Sequence, residues 1–130
     1  MTNMKKLYLA LISICLATNV WAMDPISLEK QYVEASKQPS LAARGEKFFT
    51  SKHGKEWSCA TCHGMPPTKD GKHASTDKVI SPLAPAYNNK RFTDEAKVNK
   101  WFKRNCNDVL NRECSALEKA DVMAYLNSLK

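Results

Sequence analysis

The chain has 130 residues and a formal net charge of +7, from 20 Lys and Arg against 13 Asp and Glu, with five cysteines. That length bounds one small domain with a limited core of its own. Its basic residues fall in groups at Lys52 to Lys55, Lys69 to Lys78 and Lys97 to Arg104; with no helix-turn-helix pattern and no basic-aromatic interleaving, they exclude nucleic acid as the expected partner.

Lys5 and Lys6 precede an apolar run from Leu7 to Leu16, and Val20-Trp21-Ala22 offers a cleavage site before Met23-Asp24. Residues 1–22 are therefore expected to be a cleaved export signal, leaving 23–130 as a single domain in the periplasm. The run is too short for a confident span, and no later stretch approaches the ~20 apolar residues a membrane helix needs. Cys15 reads as an apolar signal residue rather than a lipid anchor. Losing Lys5 and Lys6 takes the charge from +7 to +5, and the remaining cysteines then lie in an oxidising compartment.

Asp24-Pro25 opens a first helix, an N-cap followed by proline at the first helical position. Ile26, Glu29, Lys30, Tyr32 and Val33 give it an amphipathic pattern to about Lys37, and Pro39 ends it. Ser40 is expected to cap a second helix to about Thr50, with Gly45 and Phe49 one turn apart on one face. A glycine inside a helix points to close approach of another backbone.

Cys59-Ala60-Thr61-Cys62-His63 follows. Two thiols three positions apart stand about one helical turn from each other, so each can add to a vinyl group of one porphyrin. His63, next in sequence, is carried to the iron as proximal ligand. The pattern predicts one covalent haem c held by Cys59 and Cys62. A thiol redox site would want a strand run before it, and Ser51 to Ser58 is polar apart from Trp57; a zinc site would want a second close ligand pair, which Cys106 and Cys114 do not form.

Gly64 to Phe92 is long and proline-rich. It is expected to wrap the porphyrin edge through Val79, Ile80, Leu83, Tyr87 and Phe92. Lys72, Lys78 and Arg91 are candidates for propionate pairing or for plain solvation.

The next helix is expected to be capped by Thr93, with Asp94 and Glu95 at the positive end of its dipole and Val98, Trp101 and Phe102 as its inward stripe. Seven residues beyond Val98 lies Asn105. It is either a buried amide in need of a partner or a cap of the helix end. The last helix has a capping box at Ser115 to Glu118 and an apolar stripe of Val122, Tyr125, Leu126 and Leu129. Gly45 and Phe49 against Val122 and Tyr125 resemble the crossed terminal helices of class I cytochromes c, which implies an all-α fold closed around one haem.

The second axial ligand is the open question. From Pro66 through Val122 there is no methionine. Met65 is two residues past His63, and about 7 Å of chain cannot reach the opposite haem face. Met123 reads as core, and Met23 lies at the expected new N-terminus. His73 lies in a solvated turn, Lys69-Asp70-Gly71-Lys72-His73, and His53 has less to recommend it.

The segments Ile80-Ser81-Pro82-Leu83-Ala84-Pro85, Arg91-Phe92-Thr93-Asp94, Trp101 to Val109, Arg112-Glu113-Cys114 and Glu118-Lys119-Ala120-Asp121 resemble the sphaeroides haem protein (SHP) family of class I cytochromes c. The resemblance implies His63 as proximal ligand, Asn105 as distal ligand in the oxidised state, and a Cys106–Cys114 disulfide. Related cytochrome c″ carries a histidine in the distal place. A neutral amide is a weak donor, tolerable for ferric iron and poorer for ferrous iron. Reduction is thus expected to release Asn105 and open the site to O2, NO or CO, as the resemblance also implies. It further implies a dihaem cytochrome c and a membrane cytochrome b as electron donors. The chain is expected to be a monomer and not an enzyme, slow oxidase-like turnover aside. A simple low-potential electron carrier is the alternative, and the basic groups are either solvated or steer an acidic redox partner.

Overall fold

The computed structural model describes residues 23–130. The expected export signal, with Cys15, lies outside the described residues. Within them run α1 (Pro25–Ser36), α2 (Ala42–Thr50), α3 (Cys59–His63), the two-residue strands β1 (Gly71–Lys72) and β2 (Val79–Ile80), a 3-10 turn at Pro85–Tyr87, α4 (Glu95–Leu110) and α5 (Ala116–Ser128).

Asp24 caps α1, its carboxylate accepting from the backbone N–H of Ile26 at 2.9 Å and of Ser27 at 3.0 Å. The face of α1 that enters the core is Leu28 and Tyr32, one turn apart. Ile26, expected in the apolar pattern, is half-exposed. Its place relative to Leu28 and Tyr32 is off the 3.6-residue period.

Ser40 does not cap α2. Its hydroxyl donates to Glu29 Oε1 at 2.7 Å, and the Leu41 N–H donates instead to Asp121 Oδ1 of α5 at 2.8 Å. The Arg44 guanidinium also grips Asp121, with Nη2 donating to Oδ1 at 2.8 Å and Nε to Oδ2. A buried carboxylate is tolerated when it is paired and hydrogen-bonded in this way.

α5 starts at the expected capping box: Ser115 Oγ accepts from Glu118 N at 3.2 Å, and Glu118 Oε2 accepts from Ser115 N at 2.8 Å. The helix is buried on nearly every side, through Ala120, Val122, Met123, Tyr125 and Leu126, because it packs against both α1 and α2. At the α2–α5 crossing a Cβ on Gly45 would overlap the Asp121 carbonyl. One turn on, Phe49 and Tyr125 meet with ring centroids 5.5 Å apart. α2 and α5 thus cross at the residues the sequence predicts, and the domain is mainly helical.

α4 begins one residue later than expected. Asp94 is the cap, accepting from Lys97 N at 3.0 Å, while the Thr93 hydroxyl donates to Lys90 O at 3.1 Å. A carboxylate at the cap also suits the positive end of the helix dipole. At the other end Asn111 is left-handed at φ 60 and donates its N–H to Asn107 O at 3.0 Å. Tyr32 ties α4 to α1, its hydroxyl donating to Asn99 Oδ1 at 2.8 Å and its ring edge-on to Phe102.

The long connection is folded upon itself. β1 and β2 pair antiparallel, Gly71 with Ile80 and Lys72 with Val79. The N–H groups of Leu83 and Ala84 both donate to Pro67 O, at 3.1 and 3.0 Å. Arg91 fastens the far end by donating to Ser81 O at 2.7 Å and Pro82 O at 3.0 Å. Tyr87 points away from the expected wrapping face: its hydroxyl donates to Lys130 O at 2.7 Å.

Candidate functional site

α3 is a five-residue helix, and its start is fixed by a side-chain pair that sequence reading missed. Ser58 Oγ accepts from Thr61 N at 3.2 Å, and Thr61 Oγ1 accepts from Ser58 N at 3.0 Å. The signal was present as Ser-x-x-Thr, with threonine in the place usually held by Glu or Gln. Gly64 ends the turn at φ 84, its N–H donating to Ala60 O at 2.8 Å. Cys59 and Cys62 therefore lie three apart on one helix, and both face the same cavity as His63. The hairpin sits directly on this turn, since a Cβ on Gly71 would overlap the Cys62 carbonyl.

The cavity has a volume of about 690 Å³, within the ~300–1,000 Å³ usual for small-molecule and cofactor sites. Phe49, Val98, Phe102, Val122 and Leu126 give it apolar walls. Val79, Ile80, Leu83 and Phe92 line it as expected, and so do Lys78 and Arg91. Lys72 pairs with Asp77 at 3.2 Å on the surface. Trp101, read from sequence as inward, stands 45% exposed at the cavity's edge.

Burial pushes the His63 imidazole down to about 4, with the Arg91 charge adding to it. The ring is thus neutral at neutral pH, the form that binds a metal. Its Nδ1 is buried without a hydrogen-bond partner. Burial likewise raises the Cys59 thiol to about 11, the reverse of the lowered value that a redox-active C-x-x-C requires. Among the described residues no cluster of three or more His, Cys, Asp or Glu is arranged to hold a metal ion, so a protein-only zinc site has no ligand set here.

Asn105 lines the same cavity. It lies inside α4, more than a turn before Asn111, which is the residue that caps the helix. The cap reading of Asn105 is therefore wrong. Cys106, next to it, is bonded to Cys114, with Cα atoms 5.6 Å apart. Of the other candidates His73 also lines this cavity, while His53, Met65 and Met123 do not. His53 Nε2 is 2.8 Å from Phe48 O, His73 Nδ1 accepts from Ser75 N at 3.3 Å, Met65 is exposed and Met123 is fully buried in the core. No helix among the described residues is long and apolar enough to cross a membrane.

Residues 34–126 match a family model described as a domain of unknown function, DUF1924. The chain is 43% identical over 122 residues to the cytochrome c-type protein SHP of Cereibacter sphaeroides, covering 89% of this chain and 94% of that protein. It is 49% identical over 86 residues to cytochrome c″ of Methylophilus methylotrophus, covering 63% and 60% respectively. The fold matches the structure of oxidised SHP, described as an oxygen-binding cytochrome c, with a TM-score of 0.77 over 82% of this chain and 98% of that one. Oxidised cytochrome c″ matches with a TM-score of 0.73 at 37% identity, over 82% and 94%. A cavity fed by a Cys-x-x-Cys-His turn and an inward asparagine thus lies in a chain that belongs to the SHP family of c-type cytochromes, related to cytochrome c″.

Proposed function

We propose that this chain is an exported, periplasmic monohaem cytochrome that switches a distal ligand with redox state. Cys59 and Cys62 hold haem c through two thioether bonds, and His63 is its proximal ligand. The group fits the residues present: an apolar cavity of suitable volume, two thiols on one helical face and a neutral imidazole beside them. When bound, it supplies an iron whose ferrous form takes up O2, NO or CO.

The observation that carries the reading is the position of Asn105. A polar carboxamide within a helix, on the wall of an apolar cavity, needs a partner once a haem fills that cavity and shuts out water. Asn105 is the distal ligand of the oxidised state. A neutral amide oxygen suits the harder ferric ion and is a poor donor to the ferrous one, so the side chain lets go on reduction. Electrons come from a dihaem c-type cytochrome and a membrane cytochrome b, and the monomer acts as a carrier and ligand binder rather than as an enzyme.

Optical spectra of the oxidised and anaerobically reduced protein, followed by carbon monoxide, test this. The expected result is a low-spin ferric spectrum, a high-spin ferrous one, and a clear shift with the gas. A low-spin ferrous spectrum indifferent to carbon monoxide would instead make the protein a simple low-potential electron carrier.

A further inference from the structure

Arg104 precedes Asn105 on α4, and its guanidinium carbon stands 5.0 Å over the centre of the Trp101 ring. Trp101 and Asn105 are four residues apart, hence neighbours on one helical face. The stacked guanidinium is therefore held beside the turn that carries Asn105, and Trp101, Arg104 and Asn105 all line the cavity. A cation over an indole face is a favourable, oriented arrangement, and it leaves the edge N–H donors of the guanidinium free for a planar or linear anion.

Arg104 is also uncommitted in charge. The ion pairs among the described residues join Arg44 to Asp121, Lys72 to Asp77, Lys103 to Glu113 and Arg112 to Glu118. Asp108 lines the cavity one turn beyond Arg104, yet it makes no ion pair with it. Asp94, the other carboxylate there, is turned to its capping bond with Lys97 N. The remaining charged groups of the lining, Lys78, Lys90, Arg91 and Lys97, are all cationic. Even with Lys78 and Arg91 set against the two haem propionates, Lys90, Lys97 and Arg104 leave a local field that favours negative ligands.

Resting on the reading of Asn105 as a displaceable ligand, the geometry points to Arg104 as the residue that selects small monovalent anions at the distal position. Neutral diatomic ligands pass the same opening without using it. Arg104 is a specificity residue: it binds the charge of the incoming ligand and leaves Asn105 to set whether the position is open.

Azide titrations of the ferric holoprotein and carbon monoxide titrations of the ferrous holoprotein test this in the parent, Arg104→Gln and Arg104→Lys. Loss of one charge-assisted contact predicts azide binding about tenfold weaker in Arg104→Gln. Arg104→Lys, which keeps the charge but not the stacked planar fork, should recover only part of that loss, and carbon monoxide affinity should be the same in all three. The azide affinity of the parent should fall with added salt more steeply than that of Arg104→Gln. Equal azide affinity in parent and Arg104→Gln, or equal weakening of azide and carbon monoxide, would overturn the role of Arg104 alone. A parent that takes up neither ligand would overturn the Asn105 reading, and this one with it.

Discussion

Gly45 on α2 and Asp121 on α5 are in direct backbone contact, so close that a Cβ on the glycine would overlap the Asp121 carbonyl oxygen. Backbone cannot yield as a flexible side chain can. Gly45→Ala is expected to separate the two helices and to destabilise the fold by about 2 to 3 kcal/mol, the upper part of the range for overpacking. Denaturant unfolding of the holoprotein measures it, and an unchanged midpoint would show that the crossing is looser than this contact implies.

Glu118 carries a predictable pH dependence. The Arg112 guanidinium first, and the Ser115 N–H and hydroxyl after it, hold the Glu118 carboxyl below its ordinary 4.5. A carboxyl lowered in the folded state adds stability that is fully present above its unfolded value and lost as pH falls through the folded one. Glu118→Gln keeps the acceptor of the capping box but loses the part-exposed ion pair with Arg112, so it should cost only about 0.5 kcal/mol at neutral pH. Its stability should also fall less than the parent's on acidification below pH 4.5, which paired denaturation curves at pH 7 and pH 3 would read.

The Cys106–Cys114 bridge closes a short loop beside Asn105, with a sequence separation of 8. In a chain-entropy account such a loop is worth about 2 to 3 kcal/mol. It also ties the end of α4 to the start of α5, and if Asn105 is the displaceable ligand proposed above, the bridge is expected to limit its swing. The double variant Cys106→Ser/Cys114→Ser should unfold more easily and recover its oxidised spectrum more slowly after reoxidation. Stability lost without any change in that rate would leave the bridge as a staple only.

Asn105→Ala should retain the covalent haem, because Cys59 and Cys62 lie on α3 and not on α4. With the competing amide gone, ferric azide affinity should rise by at least about tenfold, the equivalent of a ~1.4 kcal/mol competitor. Unchanged affinity would demote Asn105 to a wall residue.

The candidate attachment turn was legible because its residues, Cys59 to His63, are adjacent in the chain and form α3. The crossing was legible as well, since Gly45 with Phe49 and Val122 with Tyr125 each repeat at helical spacing. Where sequence reading failed, a distant residue had taken the bond. Ser40 lost the cap of α2 because its hydroxyl turns to Glu29, eleven residues back on α1, and Tyr87 left the wrapping face for the Lys130 carbonyl. Asn105 was open between a helix cap and an inward amide until the end of α4 was known: Asn111 is the cap, and Asn105 lines the cavity. Arg104 was visible only as one member of a basic group; its stacking on Trp101 depends on rotamers that periodicity does not specify.

Crystal structures of the holoprotein in its ferric and ferrous states, grown without added ligands, test the central claim most directly. Asn105 should coordinate the iron through its carboxamide in the ferric crystal and stand away from it in the ferrous one, with His63 bound in both. A contact that persists on reduction, or that is missing from the oxidised form, would contradict the account.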